Sequence, residues 1–154
     1  MSVYRIITMP DKVLREKAKE VRNINDGVLR VIDNMIDTMY AHDGIGLAAP
    51  QIGIKKRIIV LDPGGDDEGA IIMINPEIIS REGAKSENEG CLSIPDVSGI
   101  VKRAEKITVK GLDRNGQEVV YDAEGVLARI FQHEVDHLDG VLFTDSATEI
   151  RERE

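Results

Sequence analysis

Val126-Leu127-Ala128-Arg129-Ile130-Phe131-Gln132-His133-Glu134-Val135-Asp136-His137-Leu138 is the stretch around which the chain can be read. At 3.6 residues per turn, Val126, Ile130, His133 and His137 form one stripe, and Leu127, Phe131, Glu134 and Leu138 the neighbouring one. This spacing predicts a helix from about Glu124 to Asp139, ended by Gly140. His133 and His137 lie one turn apart on one face, so both imidazoles can reach a single metal ion. Glu134 is offset by about 100° and stands beside such a metal rather than on it, where a general base is needed. All three polar side chains fall on the apolar, inward half of the helix. A carboxylate and two imidazoles facing a core are costly unless paired or ligated. Core histidines satisfied by hydrogen bonds are the plain alternative. It leaves unexplained why two of the chain's three histidines stand at ligand spacing.

Two histidines do not complete a catalytic site of the zinc type, which takes three protein ligands and a water. A further histidine six residues beyond His137 is excluded, because that position is Phe143, and Glu149, Glu152 and Glu154 lie in a short polar tail. The remaining soft donor is the single cysteine, Cys91, whose thiolate would neutralise part of the metal charge. A lone thiol is more often simply buried. A Cys–His nucleophilic pair is the other chemical reading, but it gives Glu134 and the second histidine nothing to do. Two imidazoles and a thiolate leave a metal one position for water and make hydroxide available at neutral pH, with Glu134 as base and then acid. A metal-binding domain without catalysis belongs to another class. It would need no such carboxylate.

The rest of the chain is consistent with one compact unit. Its 154 residues are 42% hydrophobic and 31% charged, with a net charge of -8. That charge argues against a dedicated nucleic-acid surface, and no apolar run is long enough for a membrane span or a signal peptide. One cysteine makes no internal disulfide, which fits a reducing compartment. Val28, Leu29, Val31, Ile32, Met35, Ile36 and Met39 predict a helix over Asp26 to Tyr40, capped by Asn25 or Asp26. Strands are expected at Arg57 to Leu61 and Ile71 to Ile74, either side of a turn at Pro63-Gly64-Gly65-Asp66-Asp67. A hairpin is expected from Ile107 to Leu112 and Glu118 to Tyr121, with Asn115-Gly116 supplying positive φ angles. Gly44-Ile45-Gly46-Leu47-Ala48-Ala49-Pro50-Gln51 fits neither a clean helix nor a clean strand. The expected class is α+β: small mixed or antiparallel sheets packed around a central metal-binding helix, in one catalytic domain over 1–154 with a short tail at 145–154.

With these residues assembled, the chain resembles the peptide deformylases. Gly44-Ile45-Gly46-Leu47-Ala48-Ala49-Pro50-Gln51, Glu89-Gly90-Cys91-Leu92-Ser93 and Gln132-His133-Glu134-Val135-Asp136-His137 match in order and spacing. Asp11-Lys12-Val13-Leu14-Arg15 and Arg103-Ala104-Glu105 match as well, and the likeness runs from about residue 4 to 144. The resemblance implies removal of the formyl group from N-formylmethionyl nascent peptides, releasing formate, by a monomer in the bacterial cytoplasm and near the ribosome exit. It implies Cys91, His133 and His137 as ligands of one divalent metal ion, ferrous iron (Fe2+) or zinc (Zn2+). Glu134 would be the acid/base, and Gln51 and the Leu92 backbone N–H would bind the carbonyl oxygen.

The implied substrate-binding set is Gly44, Ile45, Gly46, Gly90, Val126, Arg129 and Ile130. Glycines at 44 and 46 would let a peptide approach and pair like an added strand, while Ile45, Val126 and Ile130 would line an apolar pocket for a Met side chain. Arg129 stands where many members carry an apolar residue and is expected at the pocket rim. Ser98 replaces a basic residue of many bacterial members and is expected near the distal end of the substrate. Many members also continue past Thr144 into a C-terminal helix, whereas 149–154 is too short to be stable alone.

Overall fold

The computed structural model describes residues 3–64 and 69–152. Gly65, Asp66 and Asp67 of the expected turn, and the terminal Glu154, therefore lie outside the described residues. In chain order the elements are α1 (Asp26–Ala41), β1 (Gly46–Ala48), β2 (Ile58–Leu61), β3 (Ile71–Glu82), β4 (Lys85–Cys91), β5 (Ile94–Arg103), β6 (Lys106–Leu112), β7 (Glu118–Glu124), α2 (Gly125–Leu138) and β8 (Thr148–Glu152). The strands form one sheet in the order β1-β2-β3-β6-β7 and a second in the order β4-β5-β8. Each of these ladders is antiparallel. The class is α+β, as expected. No described helix is long and apolar enough to cross a membrane.

The continuous apolar run Ile58-Ile59-Val60-Leu61 shows why the layers stack as they do. All four residues of β2 are buried, which a strand achieves only when both faces are covered. Alternation sends Ile58 and Val60 to one side, with Val28, Ile32, Met35 and Met39 of α1. Ile59 and Leu61 go to the other side, with Ala128, Phe131, Val135 and Leu138 of α2. The five-stranded sheet is thus held between the two helices. Phe131 is wholly buried there, and burial of a side chain of that size stabilises by roughly 1.5–3 kcal/mol.

Both helices start and stop where the chain supplies partners. Asn25 accepts from the Val28 amide at 3.0 Å and caps α1. At the far end of α2, the Leu138 carbonyl accepts from the Ala18 amide at 2.7 Å and from Arg57 Nη1 at 3.0 Å. Gly140 follows at φ 74°, so close to Arg15 that a Cβ would lie 2.4 Å from the Arg15 carbonyl oxygen. The N-terminal segment therefore closes the end of the helix that carries the histidines.

Several elements differ from the sequence reading. The glycine-rich stretch supplies a three-residue edge strand, β1, followed by a tight turn at Ala49–Ile52 that carries Gln51. The strand expected at Ile71 to Ile74 runs on to Glu82, with register shifts between Ile74 and Glu77 and between Ile78 and Ser80. In the β6–β7 turn only Gly116 takes a positive φ, 79°, and Asn115 does not. The Asp113 carboxylate holds that loop instead, accepting from the Asn115 and Gln117 amides. The polar tail is not left alone: Thr148–Glu152 pairs with β5 as the third strand of the second sheet.

The β3–β6 interface carries a testable constraint. A Cβ on Gly111 would lie 2.4 Å from Met73 Cγ and 2.9 Å from the Ile74 carbonyl oxygen. Gly111→Ala should therefore overpack the sheet and destabilise by about 1–3 kcal/mol. Thermal unfolding followed by circular dichroism should show Tm lowered by several degrees; an equal or higher Tm would contradict this packing.

Candidate metal centre and cleft

The second half of α2 brings His133 and His137 together, with ring centroids 5.0 Å apart. Cys91 ends β4 just before the two-residue turn Leu92-Ser93, where it pairs across to Ile94. Its Sγ lies 3.3 Å from His137 Nε2. One ligand atom from each of Cys91, His133 and His137 falls within 4.8 Å of the others, and the three can hold a metal ion. The other candidates stand elsewhere: Glu149 and Glu152 are exposed on β8, and Phe143 stacks on the His133 ring at 6.2 Å.

Behind the triad lies a set of buried ions. His133 Nδ1 is 3.0 Å from Glu89 Oε1. Arg103 donates to the same carboxylate through Nε at 2.6 Å and Nη2 at 2.9 Å, and its Nη1 donates to Asp136 at 2.9 Å. Arg129 Nη1 donates to Glu89 as well. Burial works against the Glu89 carboxylate, but hydrogen bonds from His133 and Arg103 and the Arg103 charge outweigh it, and its pKa falls to about 2. A carboxylate on Nδ1 fixes the tautomer of His133 and turns Nε2 toward the site, the usual support for a metal-bound imidazole. Glu89 and Arg103 stand in motifs of the sequence that by themselves give neither a role. The available signal was the alternation of a strand, which puts residues 89 and 91 on one face.

The donor set suits a divalent cation. Burial disfavours an imidazolium at His133, yet hydrogen bonds with Cys91 and Glu89 and the charge of Glu134 lift its pKa to about 10. Burial keeps His137 well below the ordinary histidine value, so it is neutral and free to ligate. Cys91 and two carboxylates, Glu89 and Glu134, thus favour positive charge at the His133 ring. A thiolate with two imidazoles meets that need for a metal of borderline softness.

Glu134 is buried beside the triad, and its Oε1 has no hydrogen-bond partner. Burial raises its carboxyl to about 7, against the opposing pull of the His133 and Arg103 charges. A Cβ at Gly46 would lie 2.7 Å from Glu134 Oε2 and 2.9 Å from Ile130 Cγ2. The missing side chain at position 46 therefore seats Glu134, a role the sequence reading assigned wholly to the substrate.

A cleft of about 590 Å³ opens over this cluster. Gly44, Ile45, Gly46, Gln51, Gly90, Cys91, Leu92, Val126, Arg129, Ile130, His133 and Glu134 all line it, and His137 sits behind them, 1% exposed. Ile45 and Val126 are exposed at the mouth, at 50% and 58%, while Ile130 is buried at the wall. Gln51 Nε2 approaches Cys91 Sγ at 3.6 Å. Two expectations change. Arg129 lines the cleft, but its guanidinium is spent on Glu87, Glu89 and the carbonyls of Lys85 and Val101, bonds that tie α2 to β4 and β5. Ser98 is buried in β5, between Gly90 of β4 and Arg151 of β8, and does not line the cleft.

The α+β fold and the Cys91–His133–His137 cluster fit the class of metal-dependent hydrolases. The family model for polypeptide deformylase matches residues 3–153, and the chain belongs to that family of enzymes. A peptide deformylase from Syntrophomonas wolfei is 59% identical over 151 residues, which cover 98% of this chain and 97% of that protein. The crystal structure of a peptide deformylase from Legionella pneumophila superposes with a TM-score of 0.93 at 45% identity, covering 96% of this chain and 88% of that one. That of the Thermotoga maritima peptide deformylase gives 0.92 at 42%, covering 96% and 99%.

The Glu89 contact makes a prediction about the metal. Glu89→Gln should keep the size of the side chain but weaken the hold on His133, lowering metal affinity by about 10–100-fold. Competition against a chelator measures it, and an unchanged affinity would remove Glu89 from the site.

Proposed function

We propose that this enzyme removes the formyl group from N-formylmethionyl peptides of newly made proteins, releasing formate, with Cys91, His133 and His137 holding one divalent ion. The observation that carries this reading is Glu134: a buried carboxylate raised to about 7, beside the ligand triad and facing the cleft. A general acid/base works best when its pKa lies near the working pH.

Bound there, the metal would supply Lewis-acid activation of a water and of the scissile carbonyl. Everything else falls to the chain's own groups. Glu134 takes the proton of the attacking water at a carboxylate oxygen and later delivers it to the departing amine nitrogen. As the water attacks, and before the amine departs, negative charge develops on the formyl oxygen. Gln51 can donate to it from Nε2 and Leu92 from its backbone amide, each donor contributing a few kcal/mol in comparable sites.

The peptide has free strand edges to pair with. β1 is an edge of the larger sheet and β4 an edge of the smaller one. Because the Asp62 amide donates to the Ile45 carbonyl, alternation turns the peptide groups of Gly46 away from β2 and toward the open side. An extended substrate can add there as a strand, with Ile45, Val126 and Ile130 offering apolar surface to a Met side chain. Gly44 and Gly90 leave the approach clear on either side, and the Arg129 stem closes the wall. The fixed guanidinium of Arg129 makes this wall less apolar than a run of aliphatic residues would be. The reading takes residues 1–154 as one catalytic domain, acting as a monomer in the bacterial cytoplasm. The ion is ferrous iron or zinc, which anaerobic purification with metal analysis separates.

Another N-acyl group is the competing substrate, because Arg129 and Glu87 make part of the cleft wall polar. Metal-loaded enzyme should release formate from formyl-Met peptides and little acetate from acetyl-Met peptides. A preference for acetyl would overturn the substrate assignment. Glu134→Ala should retain the metal while kcat/KM falls by about 10²–10⁴; retained activity would take Glu134 out of the chemistry.

A further inference from the structure

We infer that Ser93 is a positioning residue for the reaction: its hydroxyl takes one of the two amide hydrogens of Gln51 and so aims the other at the substrate's carbonyl oxygen. The inference rests on the proposed role of Gln51 as an oxyanion donor. Gln51 is 2% exposed and Ser93 wholly buried, so neither side chain is free to trade partners with bulk water.

The amide of Gln51 could in principle face either way, and its neighbours decide which. The Ala48 amide donates to Gln51 Oε1 at 2.9 Å. With the amide reversed, two N–H groups would oppose each other, so Nε2 must lie on the side of the cleft. Nε2 carries two hydrogens in the amide plane, about 120° apart. One goes to Ser93 Oγ at 3.1 Å. The second then has one direction left, toward Cys91 Sγ, 3.6 Å from Nε2. That is the direction in which a carbonyl oxygen approaching the triad would arrive. Without the hydroxyl, only the Ala48 bond and the long contact with Cys91 Sγ would hold the amide, and rotation about the terminal torsion is soft.

Ser93 is itself well anchored. It occupies the second position of the β4–β5 turn, directly after Leu92, and its carbonyl accepts from the Met9 amide at 2.9 Å. One residue therefore joins the N-terminal segment, the loop bearing Cys91 and Leu92, and the turn bearing Gln51. Both proposed oxyanion donors are held in register through it. A misplacement of about 1 Å at such a site can cost as much as 100-fold in rate.

The test is a double-mutant cycle with an independent structural readout. Ser93→Ala should lower kcat about 10-fold with KM within about twofold and metal content unchanged, as expected for a donor used mainly in the transition state. In a Gln51→Ala background the same change should cause no further loss, because the hydroxyl then has no amide to hold. Ser93→Cys, of similar size and a weaker acceptor, should fall between and serves if the alanine variant fails to fold. The side-chain amide protons of Gln51, followed by NMR in ¹⁵N-labelled protein, should exchange faster in Ser93→Ala than in the wild type. An equal loss of kcat in both backgrounds, or unchanged kcat and unchanged exchange, would overturn the inference. If the wild type released no formate, the proposed function would fall instead, and the exchange measurement, which needs no turnover, would still decide whether Ser93 holds Gln51.

Discussion

Glu89, buried on β4, accepts from Arg103 and Arg129 and pairs with His133, and this contact set joins three elements at one carboxylate. Taking such charges out of water costs several kcal/mol per ion, and the mutual attraction repays it only where the geometry is good. Here both carboxylate oxygens are used, and Arg103 reaches onward to Asp136 on the exposed side of α2. The smaller sheet is thereby fastened to α2 by ions, whereas the larger sheet is fastened to it by apolar packing. The cleft lies along the seam between these two kinds of contact.

That arrangement explains how one helix serves both stability and chemistry. Phe131, Val135 and Leu138 anchor α2 against the larger sheet, while His133, Glu134 and His137 belong to the same buried length of helix. A backbone held on both sides keeps two imidazoles and a carboxylate in fixed relation without long, mobile loops. Among the described residues, the buried side-chain polar atoms without a hydrogen-bond partner are Asp37 Oδ2 on α1 and, at the site, Glu134 Oε1 and His137 Nδ1. An unpaired buried polar atom is costly in a core, and two of these three stand at the Cys91–His133–His137 cluster.

Much of this was legible in the chain, for physical reasons that can be named. α2 could be read almost to the residue because helical periodicity puts its histidines and its apolar side chains in one repeating pattern. Cys91 followed from the need for a third ligand, though only its surrounding motif made it firm. β4 was hidden, because Lys85-Ser86-Glu87-Asn88-Glu89 carries no apolar alternation and is held by pairing to β5 and by the ions under it. β3 runs past the expected Ile71 to Ile74 because the strand passes Pro76 through a register shift, which no local pattern shows. β8 needed a partner strand more than 40 residues away to exist at all. The roles of Glu89, Arg103 and Ser93 could not be read, since each depends on which distant side chain the fold delivers. Arg129 lines the cleft, but its bonds to Glu87, Glu89 and two carbonyls were not legible on the same ground.

The central claim is that one cysteine sulfur and two histidine nitrogens hold a single divalent ion at the floor of the cleft. X-ray absorption spectroscopy of the metal-loaded protein, combined with metal analysis, tests it most directly. The account predicts one ion per chain, with one sulfur and two imidazole nitrogens in its first shell and the sulfur lost in Cys91→Ala. A first shell without sulfur, or an unchanged spectrum in that variant, would contradict it.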